Sequence, residues 1–124
     1  MKWGQVYRKT YYDHREYERL SVSLNASIWG DGGEHEIGTL RDLSINGCGF
    51  THATAFGQGT ILRLELHVPE DFFPIIVHAA VVRNVGISHS DLEFLQLNRA
   101  ERERLRALVK SLLASRDAAL IKGE

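Results

Sequence analysis

The chain has 124 residues, the length of one ordinary domain, with a hydrophobic fraction of 44% and a charged fraction of 25%. That balance belongs to a globular chain with one core, and it excludes an enzyme built from separate cofactor and substrate domains. The formal net charge of -1 argues against a protein that grips long nucleic acid by its phosphates, so no DNA or RNA partner is expected.

Residues 1–19 are polar, aromatic and charged. Arg8, Lys9, Arg15 and Arg19, with His14, form a local cationic cluster that suits a small anion better than a polymer. The segment offers little to bury, so residues 1–14 are expected to be a flexible arm and residues 15–124 the folded domain. It has no apolar run of the signal-peptide kind, and no stretch approaches the ~18 apolar residues of a membrane span. The single cysteine, Cys48, excludes an internal disulfide. A cytoplasmic protein without membrane insertion is expected.

Leu20, Val22, Leu24, Ala26 and Ile28 alternate with polar residues, the period of a half-buried strand. Gly30-Asp31-Gly32-Gly33 then supplies a turn, and Glu34 to Leu43 a partner strand of poor alternation. Gly47 to Phe50 reads as a short strand. Leu62, Leu64, Leu66 and Val68 give a second alternating strand, broken by Pro69 and Pro74. Ile75 to Arg83 reads as a more buried strand, with His78 as a core or edge histidine, and Asp91 to Leu97 as a last short one.

Asn98 and Glu101 make a capping-box pattern, and Leu105, Leu108, Val109, Leu112 and Leu113 follow at helical spacing. This predicts a helix over about 99–120, with its apolar pattern spent by Ala114. The expected fold is mainly β: a small antiparallel six-stranded-type β-barrel with one C-terminal amphipathic α-helix.

Two motifs carry chemistry. Arg15-Glu16-Tyr17-Glu18-Arg19 is an Arg-x-x-x-Arg pair just before the first strand. Asp42-Leu43-Ser44-Ile45-Asn46-Gly47 is an Asp-x-Ser-x-x-Gly turn between two strands. In this order and separation they resemble the PilZ domain, over the chain from about Arg15 to the C-terminal helix. The resemblance implies a bacterial receptor for cyclic di-GMP that is not an enzyme. It implies Arg15, Arg19, Asp42, Ser44 and Gly47 as ligand-binding residues, and outputs such as motility, exopolysaccharide, biofilm formation or virulence through an unknown downstream protein partner. His14, Arg41 and Arg8 are candidate additional contacts.

The chemistry agrees with that assignment. Arginine forks pair with phosphate oxygens and with guanine O6 and N7. A carboxylate such as Asp42 accepts from the guanine N1–H and exocyclic amine, a donor pair adenine lacks. Ser44 offers a hydroxyl to a base or phosphate, and Gly47 permits a backbone conformation a Cβ would oppose.

The chain departs from the family pattern at His14, where an arginine is frequent, and at Ser90-Asp91-Leu92, where a glycine is frequent. The expected mechanism has the arm loose when free and gathered against the Asp42–Gly47 turn by ligand.

Other readings are weaker. The six histidines show no metal-ligand spacing, so no metal or other cofactor is expected. Ser44 lacks a nucleophile elbow. A PilZ-like interaction module independent of nucleotide is the alternative function. A barrel binding single-stranded nucleic acid would need a basic, aromatic sheet face that the serines of the first strand do not provide.

Overall fold

The computed structural model describes residues 14–52 and 56–122; Arg8 and the rest of residues 1–13 lie outside the described residues. A 3-10 turn, His14–Tyr17, leads into six strands, β1 (Leu20–Gly30), β2 (His35–Ser44), β3 (Gly47–Thr51), β4 (Ile61–His67), β5 (Ile75–Val85) and β6 (His89–Gln96), followed by helix α1 (Arg99–Lys122). The strands close into an antiparallel barrel in the order β1-β2-β3-β6-β5-β4. Closure pairs every sheet edge, which is how a small all-β domain avoids open strands.

The core fills the barrel and continues under the helix. Leu24, Ile28, Leu40, Leu43, Phe50, Leu62, Leu64, Val77 and Leu92 line the interior, and Leu105, Val109 and Leu113 of α1 extend the same cluster. β4 shows clean alternation, with Leu62, Leu64 and Leu66 buried and Arg63 and His67 exposed. His78 is exposed on β5, because its strand is two-sided rather than buried throughout; the reading of it as a core histidine does not hold.

The poor alternation of β2 has a structural cause. Leu40 and Leu43 are both fully buried although three residues apart, and the pairing of β2 with β3 slips between Leu40 and Asp42. A bulge absorbs the extra residue and leaves Arg41 and Asp42 both on the outer side.

At the helix start, the Asn98 Oδ1 accepts from the Glu101 N–H at 2.9 Å, one half of the capping box. The reciprocal half is absent: the Glu101 carboxylate accepts from the Ile76 N–H and from Arg104, tying the helix to β5. α1 runs beyond Leu113, the last residue buried among those described, and the extra turns are held by ion pairs to the segment before β1.

Buried His52 donates to or accepts from the Ser90 hydroxyl at 2.8 Å, and its Nδ1 has no partner among the described residues. Burial holds its pKa below the ordinary histidine value of 6.5. Above pH 6.5 it is neutral folded or unfolded; below that, the unfolded chain takes up a proton that the folded protein refuses. Stability should therefore fall as pH drops from 6.5 toward the lowered folded value. Urea unfolding at pH 7.5 and 5.5 should show a larger loss for the wild type than for His52→Gln; equal losses would show that His52 does not carry this dependence.

Candidate functional site

On the outer side of β3 two positions carry no side chain of their own and are covered by neighbours, with Thr51 exposed beyond them. Cys48 and Phe50 point into the core, so Gly47 and Gly49 occupy the outward positions. Burial pushes the Cys48 thiol far above its usual range, so it stays protonated and packs as a small apolar residue. Neither glycine has positive φ; among the described residues the glycines that do are Gly33 and Gly59, in turns. What β3 requires is room. A Cβ on Gly47 would sit 2.6 Å from the Leu92 carbonyl oxygen and 3.2 Å from an Arg19 guanidinium nitrogen, and one on Gly49 would sit 2.6 Å from the Asp42 Oδ2. The reason for glycine in the second motif is close approach, not an unusual backbone conformation.

Arg19 lies across this floor. Its Nη1 donates to the Asp42 Oδ1 at 2.7 Å, and the Asp91 Oδ1 of β6 is 3.8 Å away. The β2 bulge delivers Asp42 to that position, and Arg41 stands beside it, its Nε 3.9 Å from the Asp42 Oδ2. The Arg19 and Asp42 side chains keep 39% and 22% of their exposure, so solvent and ligands can reach the pair.

Ser44 is fully buried. Its hydroxyl donates to the Asn46 Oδ1 at 2.7 Å, with the Gly47 carbonyl at 3.3 Å, and accepts from the Asn46 N–H at 3.2 Å. It builds the turn between β2 and β3 rather than facing outward.

The two motif arginines diverge. Arg15 reaches α1, its Nη1 3.1 Å from each Asp117 carboxylate oxygen. Its neighbours follow it to the helix: Glu16 is fully buried with its Oε1 3.2 Å from the Arg106 Nη1, and Glu18 is 3.5 Å from Arg116. The Ile45 N–H, inside the second motif, donates to the Glu16 carbonyl at 3.0 Å. Arg15, Glu16 and Glu18 thus make contacts with α1 and the β2–β3 turn in the absence of ligand. His14 is exposed at the start of the turn.

Two hollows flank the turn. One of about 460 Å³ lies between β1 and α1 and is rimmed by Arg19 and Arg116. The other, of about 270 Å³, is lined by Tyr17, Asn46, Arg102 and Arg106. A larger hollow of about 590 Å³ lies at the far end of the barrel, but Asp31, Glu34 and Glu36 line it, the wrong charge for an anion. Among the described residues no three metal-ligating side chains gather, and no helix is long and apolar enough to cross a membrane.

Gly49, Asp91, Arg116 and Asp117 belong to this region and were not singled out as site residues from the sequence. Gly49 had a usable signal, a glycine two positions from Gly47 and so on the same face of one strand. The helix residues had none, since their place depends on how α1 docks.

A guanidinium held by a carboxylate over a floor without side chains can grip a flat ligand that combines phosphate with base edges. Solved structures share the fold. The PilZ domain of YcgR from Escherichia coli with c-di-GMP aligns with a TM-score of 0.65 at 17% identity, covering 90% of this chain and 99% of that one. The PilZ domain of CeSA from a cellulose-synthesizing bacterium gives 0.62 at 15% identity, covering 77% and 97%. The inhibitor of motility MotI/DgrA of Bacillus subtilis gives 0.65 at 22% identity, covering 84% of this chain and 53% of that one, so the chain spans about half of MotI. No curated protein sequence matches the chain. The model of the PilZ domain matches residues 13–111, which hold all six strands, the first half of the helix and both motifs, and the chain belongs to the PilZ domain family.

Proposed function

We propose that this chain is a non-catalytic receptor for cyclic di-GMP, bound on the outer wall of the barrel at Arg19, Asp42, Gly47 and Gly49. The observation that carries the reading is the Arg19–Asp42 pair laid over the two glycines, in a PilZ domain. A phosphate or guanine edge of the ligand takes the Arg19 fork, and Asp42 accepts from the guanine N1–H and exocyclic amine. Ser44 acts through the turn, holding Gly47 in place.

Arg15 joins the ligand by leaving Asp117. That exchange unties the last turns of α1 from the segment before β1, and a protein partner reads the altered surface. Relatives named for c-di-GMP binding and for inhibition of motility support motility as the output.

Base selectivity tests the reading. Cyclic di-AMP lacks the donor pair that Asp42 accepts and should bind at least ~10-fold more weakly, the equivalent of one charge-assisted hydrogen bond. Asp42→Ala should weaken cyclic di-GMP and narrow that gap. Competition titration of both nucleotides on both proteins decides it. Equal wild-type affinity for the two would show that Asp42 does not read the base.

A further inference from the structure

The outer wall carries a row of four residues across neighbouring strands. Asp42 on β2 pairs with Gly49 on β3, Gly49 with Asp91 on β6, and Asp91 with Asn84 on β5. Paired residues present their side chains on the same face, and adjacent strands lie ~4.8 Å apart. The two carboxylates therefore stand on opposite sides of the glycine strand, with the Arg19 guanidinium between them. One is bonded to it at 2.7 Å, and the other stands off at 3.8 Å. The Asp91 side chain keeps 30% of its exposure. It has a weak neutral partner, the Asn84 amide at 3.5 Å.

Two cations, Arg19 and Arg41, are thus matched by two carboxylates, Asp42 and Asp91, before any ligand arrives. A dianion entering here meets a neutral wall. Asp42 has a use in the bound state as the acceptor for guanine. Asp91, at 3.8 Å, is too far for a direct hydrogen bond to Arg19, yet near enough to oppose an incoming phosphate.

We infer that Asp91 is an affinity-setting residue of this site: its carboxylate shares Arg19 with Asp42 and opposes the charge of the ligand, holding the receptor to weaker binding than its arginines alone would give. The inference rests on the receptor reading above. It assigns Asp91 no contact with the bases and no part in folding.

The isosteric change Asp91→Asn removes the charge and keeps the shape. It should tighten cyclic di-GMP binding about five-fold, the scale of one partly screened unit charge several ångströms from a dianion. The gain should shrink as salt rises. Glu103→Gln, the same charge change at an exposed position on α1 where solvent screens the charge, controls for net charge and should alter affinity less than about two-fold.

Calorimetric titration of the three proteins at low and moderate salt reads all outcomes. Weaker binding by Asp91→Asn would make Asp91 a direct ligand contact and overturn the inference. An effect equal to that of Glu103→Gln, with wild-type binding intact, would overturn it while leaving the receptor reading standing. No binding by any of the three, each shown to be folded by its amide spectrum, would end the receptor reading and take this inference with it.

Discussion

Arg19→Ala should weaken cyclic di-GMP binding by about 2–3 kcal/mol, roughly 30- to 150-fold in Kd. Arg19 is the cation that lies over the glycine floor, and its planar fork can offer a ligand more than one charge-assisted bond. Its loss also leaves Asp42 with only the more distant Arg41, 3.9 Å away, to offset its negative charge in the path of a dianion. Arg19→Lys should recover only a small part, because a point charge cannot reproduce the planar fork. Stability should change by less than about 1 kcal/mol, since the Arg19–Asp42 pair is solvent-accessible. Calorimetry beside urea unfolding separates the two effects. Wild-type affinity in Arg19→Ala would remove Arg19 from the site.

Arg106→Ala should have the largest effect on the structure around the site. Glu16 is fully buried, and Arg106 of α1 is its counter-charge at 3.2 Å. Among the described residues the second carboxylate oxygen of Glu16 already lacks a partner. Removing a partner from a buried charge costs about 3–5 kcal/mol when both members are buried. Arg106 keeps about a third of its exposure, so about 2 kcal/mol is the reasonable expectation here.

The loss should be local as well as global. The Ile45 N–H donates to the Glu16 carbonyl, so amide exchange at Ile45 and Glu18 should quicken as the 3-10 turn leaves the helix. Asp117→Asn and Glu18→Gln, which weaken exposed pairs of the same segment, should each cost less than about 1 kcal/mol. Equal stability of Arg106→Ala and wild type would show that the turn does not depend on this pair.

Much of the barrel was legible from local pattern. β1 and β4 announce themselves by alternation, because each has one face in the core and one in solvent. Asn98 marked the helix start through a cap that needs only three residues of sequence. β2 resisted, because its bulge puts two consecutive residues outside, and a bulge leaves no alternation to read. The helix runs past Ala114 because hydrogen bonds and ion pairs, not burial, carry its last turns.

The site was legible as motifs and less so as geometry. Arg19, Asp42 and Gly47 come together, whereas Arg15 goes to Asp117, a partner 102 residues away that no local rule reveals. Glu16 sits in a polar run that reads as solvated, and it is buried because Arg106 comes to it from 90 residues on. Ser44, read as a ligand donor, spends its hydroxyl on a residue two positions later, since the turn needs that bond to hold its shape.

The most direct test of the outer-wall site is an amide shift map of the uniformly labelled protein titrated with cyclic di-GMP. The largest shifts should fall on Arg19 and Leu20, on Asp42 through Gly49, and on Asp91 through Glu93, with a smaller set near Asp117 as Arg15 leaves it. Shifts confined to the acidic hollow between Gly30 and Glu36, or no shifts at saturating nucleotide, would contradict the placement of the ligand over Gly47 and Gly49.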